Sequence, residues 1–127
     1  MTDPQVRAVA DPLDRLRDAL DAERAVAAVG AAKDLVEAAC KVGLQHAGQD
    51  ATGADKLPAL FKLAAASLPS EARQVGRSVV GVVQRLAELR NASGAGHGHA
   101  ELADVAAADA RLAGAVAVAV AEFVLGE

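Results

Sequence analysis

Aromatic side chains are almost missing from this 127-residue chain, which has no Trp, no Tyr and two Phe. A sandwich or barrel stabilises its strand pairs with aromatic and β-branched partners, so this scarcity weighs against a sheet protein. It also removes the platforms on which single-stranded bases usually stack. Cysteine occurs once, as Cys40. A single thiol cannot form an internal disulfide, and a reducing, cytoplasmic setting is the expectation. A bilayer-length apolar run is lacking as well. The most apolar stretch, Leu112 to Ala121 between Arg111 and Glu122, would rise only about 15 Å as a helix. The charged N-terminal region shows no secretory leader pattern, so a soluble protein with no membrane role is expected. Nor is there an excess of positive charge. Lys and Arg number 13 against 17 Asp and Glu, a net charge of −4. That balance argues against a surface built for duplex DNA and leaves only local basic clusters to meet nucleic acid.

What the chain does have is apolar mass, 53 % of its residues, dominated by alanine. Alanine has the strongest helix propensity and lets helix axes approach closely. One domain with one core is expected, an all-α antiparallel bundle of four to five helices. Residues 1–11 read as a flexible N-terminal segment. Asp11 and Pro12 read as the N-cap and first position of a helix over about 12–22. A second helix is predicted over about 23–46, with Val26, Val29, Val36, Cys40 and Leu44 along one face and His46 at its C-terminus. A third, over about 57–68, turns Leu57, Leu60, Phe61 and Leu68 inward. Ser70 caps a fourth over about 71–91, whose Val75, Val79, Val82, Leu86 and Leu89 form a core-facing seam. A last helix over about 104–125 buries Val105, Leu112, Val116, Val120 and Phe123.

The pattern breaks at Ser93-Gly94-Ala95-Gly96-His97-Gly98-His99, where the glycines disfavour helix and predict a tight exposed connection. Just before it stand Arg90 and Asn91. Arginine is permanently charged and forks onto phosphate oxygens, while histidine exchanges a proton near neutral pH. Brought together, the two groups suffice for metal-free RNA cleavage, in which the 2′-hydroxyl attacks and the 5′-oxygen leaves. By spacing alone the plainer reading is stronger: an arginine closing a helix and a histidine in a solvated loop.

Three segments carry a family resemblance. Leu89-Arg90-Asn91-Ala92-Ser93-Gly94-Ala95-Gly96-His97-Gly98, followed by Ala110-Arg111-Leu112-Ala113, resembles the C-terminal domain of bacterial abortive-infection proteins, a branch of the HEPN superfamily. Ala32-Lys33-Asp34-Leu35-Val36-Glu37-Ala38-Ala39-Cys40-Lys41 and Leu57-Pro58-Ala59-Leu60-Phe61-Lys62 resemble two further helices of that domain, so the likeness covers about residues 22–125. The resemblance implies a helical bundle that dimerises, with metal-independent endoribonuclease activity in active members. It implies an Arg-x(4–6)-His motif at a cleft between subunits and a role in phage defence or as a toxin. Carried onto this chain, Arg90 would hold the scissile phosphate, His97 would act as general acid or base, and Asn91 would position phosphate or loop. The family's Lys or Arg two residues after the histidine is replaced here by His99.

The remaining groups admit two readings each. Lys33, Glu37 and Lys41 form either a solvated stripe or a polar set aimed at the cleft. Arg111 either pairs with Asp104 or Asp109 or reaches the substrate. Arg73, Arg77 and Arg85 form either a solvated face or an RNA track. His97 and His99 alone rarely make a closed metal site, and no metal or cofactor is expected. Cys40 reads as a buried small hydrophobe. The expected partners are RNA and a second copy of the chain. Two other roles compete with the ribonuclease: a catalytically inactive helical interaction module, and an antitoxin-like regulator binding a separately encoded toxin.

Overall fold

The computed structural model describes residues 1–49, 56–69, 71–76, 81–85, 88 and 107–126. Every element among them is helical: α1 (Asp3–Asp21), α2 (Ala25–His46), α3 (Leu57–Ala66), helical residues at 71–76, 81–85 and 88, and α4 (Ala107–Leu125). The expected all-α helical bundle is the fold observed.

The first helix begins earlier than expected. Thr2 is its N-cap, accepting from the Gln5 amide at 3.3 Å, while Gln5 Oε1 accepts from the Thr2 amide at 3.0 Å. This reciprocal capping box, with Pro4 in the first turn, satisfies two N–H groups that would otherwise lack partners. Residues 3–11, expected to precede the helix as a flexible segment, are therefore its first turns. Pro12, expected at the helix start, is buried inside it. Having no N–H, it leaves the Ala8 carbonyl without its usual helical donor. Asp11, expected as N-cap, instead reaches across one turn to Arg15, 3.2 Å away.

Chain direction follows from a few contacts. Gln5 Nε2 donates to Gln45 Oε1 at 2.9 Å, joining the start of α1 to the end of α2, so these two are antiparallel. Gly43 lies against Val124, near the ends of α2 and α4, whereas Ala25 and Ala107, near their starts, line one notch. Thus α2 and α4 run parallel, and α1 runs against both. Gly114 of α4 packs against Leu16 and Leu20 of α1.

The core is made of small residues around a few large ones. Phe61, Leu16, Leu35, Leu44 and Leu60 are its largest fully buried side chains. On α2, burial extends over Ala28, Val29, Ala32, Leu35, Val36, Ala39, Cys40 and Leu44, which makes it the central helix. On α4 the inward face is Ala110, Ala113, Gly114, Ala117, Val120, Ala121 and Val124. Leu112, expected inside, is 65 % exposed. The physical reason is separation. A face of Ala and Gly allows the two backbones to approach, and a Leu at the same seam would hold them apart. A similar correction applies before α4. Val75 and Val82 are 53 % and 43 % exposed, while Gly76 and Val83, one residue further along at the same spacing, point inward. A Cβ on Gly76 would lie 3.0 Å from the Ala65 Cβ, so α3 approaches over a glycine instead of a valine seam. Val79, Leu86, Leu89 and Val105 lie outside the described residues. Leu68 is half-buried beyond the end of α3.

Both α1 and α2 close with the same hydrogen-bond pattern but different residues. After α2, Gly48 takes a φ of 69°, its N–H donating to the Gln45 carbonyl at 3.1 Å and that of Gln49 to Leu44 at 2.8 Å. After α1, Glu23 takes a φ of 57°, its N–H donating to Leu20 at 3.1 Å and that of Arg24 to Ala19 at 2.8 Å. This is the Schellman arrangement, in which glycine is normally preferred because a Cβ is strained in left-handed backbone. Glu23→Gly is therefore expected to stabilise the fold by about 1 kcal/mol and Gly48→Ala to destabilise it by about as much, read from urea unfolding midpoints. A Cβ on Gly43 would lie 3.0 Å from Val124 Cγ1. Gly43→Val is expected to cost about 1–3 kcal/mol by wedging α2 from α4, seen in the same unfolding curves.

Candidate functional site

Among the described residues no polar or charged side chain is buried. The charged groups among them therefore sit at the surface or its margins. Among the described residues the only buried side chain with nucleophilic chemistry is Cys40, in the middle of α2. Burial, with a smaller push from the Glu37 carboxylate, raises its thiol to about 12 from an ordinary 9.0. A neutral, enclosed thiol is neither nucleophile nor metal ligand at neutral pH, in keeping with its reading as a small hydrophobe.

Arg90, Asn91, His97 and His99 lie in 89–106, outside the described residues. The ends of that segment can still be placed. The helical stretch before it carries Gly76 beside Phe123, toward the C-terminal end of α4. The chain re-enters at Ala107, at the N-terminal end of the same helix. Ala107, Ala110 and Arg111 there line a shallow notch with Leu20, Glu23 and Arg24 from the corner between α1 and α2. Ala107, the first described residue after 89–106, thus lies at the end of the bundle where α2 and α4 begin.

Of the other expected site residues, Arg111 is exposed at this notch. Asp109 is described and no ion pair joins the two; Asp104 lies outside the described residues. Lys33 is engaged: its Nζ lies 2.8 Å from Glu37 Oε2, and Lys41 approaches the other carboxylate oxygen at 4.0 Å. The stripe is thus a connected triad in which Glu37 sits between two cations. The closer partner is the preceding lysine, although a Glu placed before a Lys is the better order on an isolated helix. Lys33 and Glu37 are both largely covered, with side chains 29 % and 24 % exposed. Arg85 is paired with Glu88 at 3.1 Å, which occupies one cation of the suggested track. Arg73 is exposed and Arg77 lies outside the described residues. His46 stands in the last turn of α2, where a cation favours the helix dipole.

Two features escaped the sequence. One is a groove of about 460 Å³ along the outer side of α1 and α2, floored by Ala8, Pro12, Ala38 and Val42. Arg15 spans it near one end, within 3.2 Å of both Asp11 and Asp34, and these two carboxylates raise the guanidinium's pKa, Asp34 most. The other is the convergence of Arg24 and Arg111. Arg24 follows no glycine and belongs to no motif, so only the tertiary arrangement brings it there. No group of three or more His, Cys, Asp or Glu suited to a metal occurs among the described residues, and no helix among them is long and apolar enough to cross a membrane.

A family model described as a HEPN-like domain, Abi_C, matches residues 7–126, nearly the whole chain. No curated protein and no solved structure matches it.

The Cys40 thiol has a measurable consequence. The unfolded chain releases that proton near pH 9, whereas the folded chain keeps it until about pH 12. Its contribution to stability is complete below about pH 9 and declines as pH rises through that window. Cys40→Ala is expected to flatten the alkaline decline in urea-measured stability. The native thiol is expected to resist aromatic disulfide reagents at pH 8 until denaturant is added.

Proposed function

The chain belongs to the HEPN-like Abi_C family, and from that premise we propose that it is a metal-independent endoribonuclease acting in phage defence or as a toxin. The observation that carries this reading is the family match over residues 7–126 together with an intact Arg90-x6-His97 pair within it. In the proposed reaction the RNA supplies its own nucleophile. A base removes the proton of a 2′-hydroxyl, the 2′-oxygen bonds to phosphorus, and the bond to the 5′-oxygen breaks as that oxygen takes a proton. The products are a 2′,3′-cyclic phosphate and a 5′-hydroxyl. Arg90 holds the two non-bridging oxygens, where negative charge gathers in the phosphorane. His97 acts as either the base that takes the 2′-proton or the acid that protonates the 5′-oxygen, and a second copy of the chain across a shared cleft performs the other transfer. Asn91 positions the phosphate or the loop. His99, Lys33 and Arg111 complete the substrate-binding set, with Lys33 reaching RNA only by leaving Glu37.

A second reading is a catalytically silent interaction module. The specific observation favouring it is the exposure of Val75 and Val82, seven residues apart in sequence, with Leu112 also bare on α4. Apolar groups left in water at coiled-coil spacing suit a helical partner. Both readings accommodate a homodimer.

The test is cleavage of a labelled RNA in EDTA by wild type, Arg90→Ala and His97→Ala. Wild type is expected to generate 2′,3′-cyclic phosphate ends, and each variant is expected to lose at least about a hundred-fold in rate. Equal cleavage by all three, or none by wild type as a purified dimer, overturns the ribonuclease reading. Growth arrest on induction that His97→Ala relieves is the corresponding result in cells.

A further inference from the structure

The four basic side chains in ion pairs among the described residues are each held by a carboxylate three or four residues away: Lys33 and Lys41 by Glu37, Arg85 by Glu88, and Arg15 by Asp11 as well as by Asp34 of α2. Arg24 and Arg111 are different. Among the described residues neither makes an ion pair, which they share with Arg7, Arg17, Lys56, Lys62 and Arg73; what sets them apart is that elements far apart in sequence bring both to one notch. The notch is about 30 Å³, room for a single water-sized group. It suits one oxygen of an anion whose remainder stays in solvent, the geometry of a contact to a nucleic-acid backbone rather than a pocket for a free metabolite. Its third charged group, Glu23, is held in place by the left-handed turn that closes α1. That fixed backbone also sets where Arg24 leaves the corner. Ala107, the first described residue after the segment bearing Arg90 and His97, lines the same notch.

We propose that Arg24 and Arg111 form a two-point cradle for an RNA phosphate lying outside the cleaved linkage, and that Glu23 weakens this contact. The proposal rests on the ribonuclease reading for its ligand, but not for its geometry. In it, Arg24 and Arg111 are binding residues that track the backbone and carry no sequence preference. Two guanidiniums at one notch concentrate positive charge on a chain whose net charge is −4.

The experiment measures binding of a fluorescent single-stranded RNA at several salt concentrations, all in a His97→Ala background so that the RNA stays intact. Arg24→Ala and Arg111→Ala are each expected to weaken binding roughly three- to ten-fold, the size of a solvent-screened charge contact. Each should flatten the plot of log affinity against log salt by about 0.7, one single-strand phosphate. Glu23→Gln is expected to tighten binding. Arg7→Ala, at the opposite end of α1, is expected to change nothing, and far-UV circular dichroism checks that every variant is folded. Unchanged affinity and slope in Arg24→Ala and Arg111→Ala overturn the cradle. So does an equal loss in Arg7→Ala, which means bulk charge alone. A thermal shift with inorganic phosphate that Arg24→Ala abolishes, without any effect on RNA, assigns the notch to a free anion and likewise overturns it. RNA binding that follows the expected pattern in a wild-type protein without cleavage activity sinks the ribonuclease reading and leaves the cradle standing.

Discussion

The close approach of α2 to α4 governs the rest of the molecule. It is made possible by Gly43 opposite Val124 and by the Ala and Gly face of α4. Dispersion contacts between small side chains are individually weak, and they add up only when backbones come near enough for many to form at once. A core of this type has no room for a polar group and contains none among the described residues. It can therefore specify geometry but perform no chemistry, which leaves the work to groups at its ends and on its rim.

That division explains the layout of charge. The groups on the helix flanks neutralise one another: Glu37 between Lys33 and Lys41, Arg15 between Asp11 and Asp34. Exposed pairs of this type add little stability, but they remove their charges from competition for a ligand. Arg24 and Arg111 differ from these in place: they share one notch at the end where α2 and α4 begin. Parallel placement of these two helices puts both their starts at the notch that Ala107 lines.

The helical class was legible because alanine content and 3.6-residue periodicity point the same way, and α2 and α3 were located within about two residues. Facing was harder to read. Apolar bulk suggested Val75, Val82 and Leu112 as core residues, yet the interior chose Gly76, Val83, Ala113 and Gly114. Hydrophobicity measures the tendency to leave water, whereas the seam between two close helices selects for smallness, and in an alanine-rich chain the two criteria separate. The start of α1 was misplaced at Asp11-Pro12, although Thr2-Asp3-Pro4-Gln5 is the stronger set of start signals because it satisfies donors reciprocally. The turn at Glu23 left no trace in sequence, since the residue that marks such a corner, glycine, is absent there. For the site, family likeness picked out Arg90 and His97 as a pair. Arg24 could come only from the fold, because its partner Arg111 lies on the last helix.

The enclosure of Cys40 has a practical corollary. A protein whose sole thiol is sealed inside its central helix is already a clean background for site-directed labelling. A cysteine introduced at Ser93 or Ala95 would be the one that a maleimide dye or spin label finds, so the motif-bearing segment could be followed spectroscopically while RNA is added, without first stripping the native residue from the core.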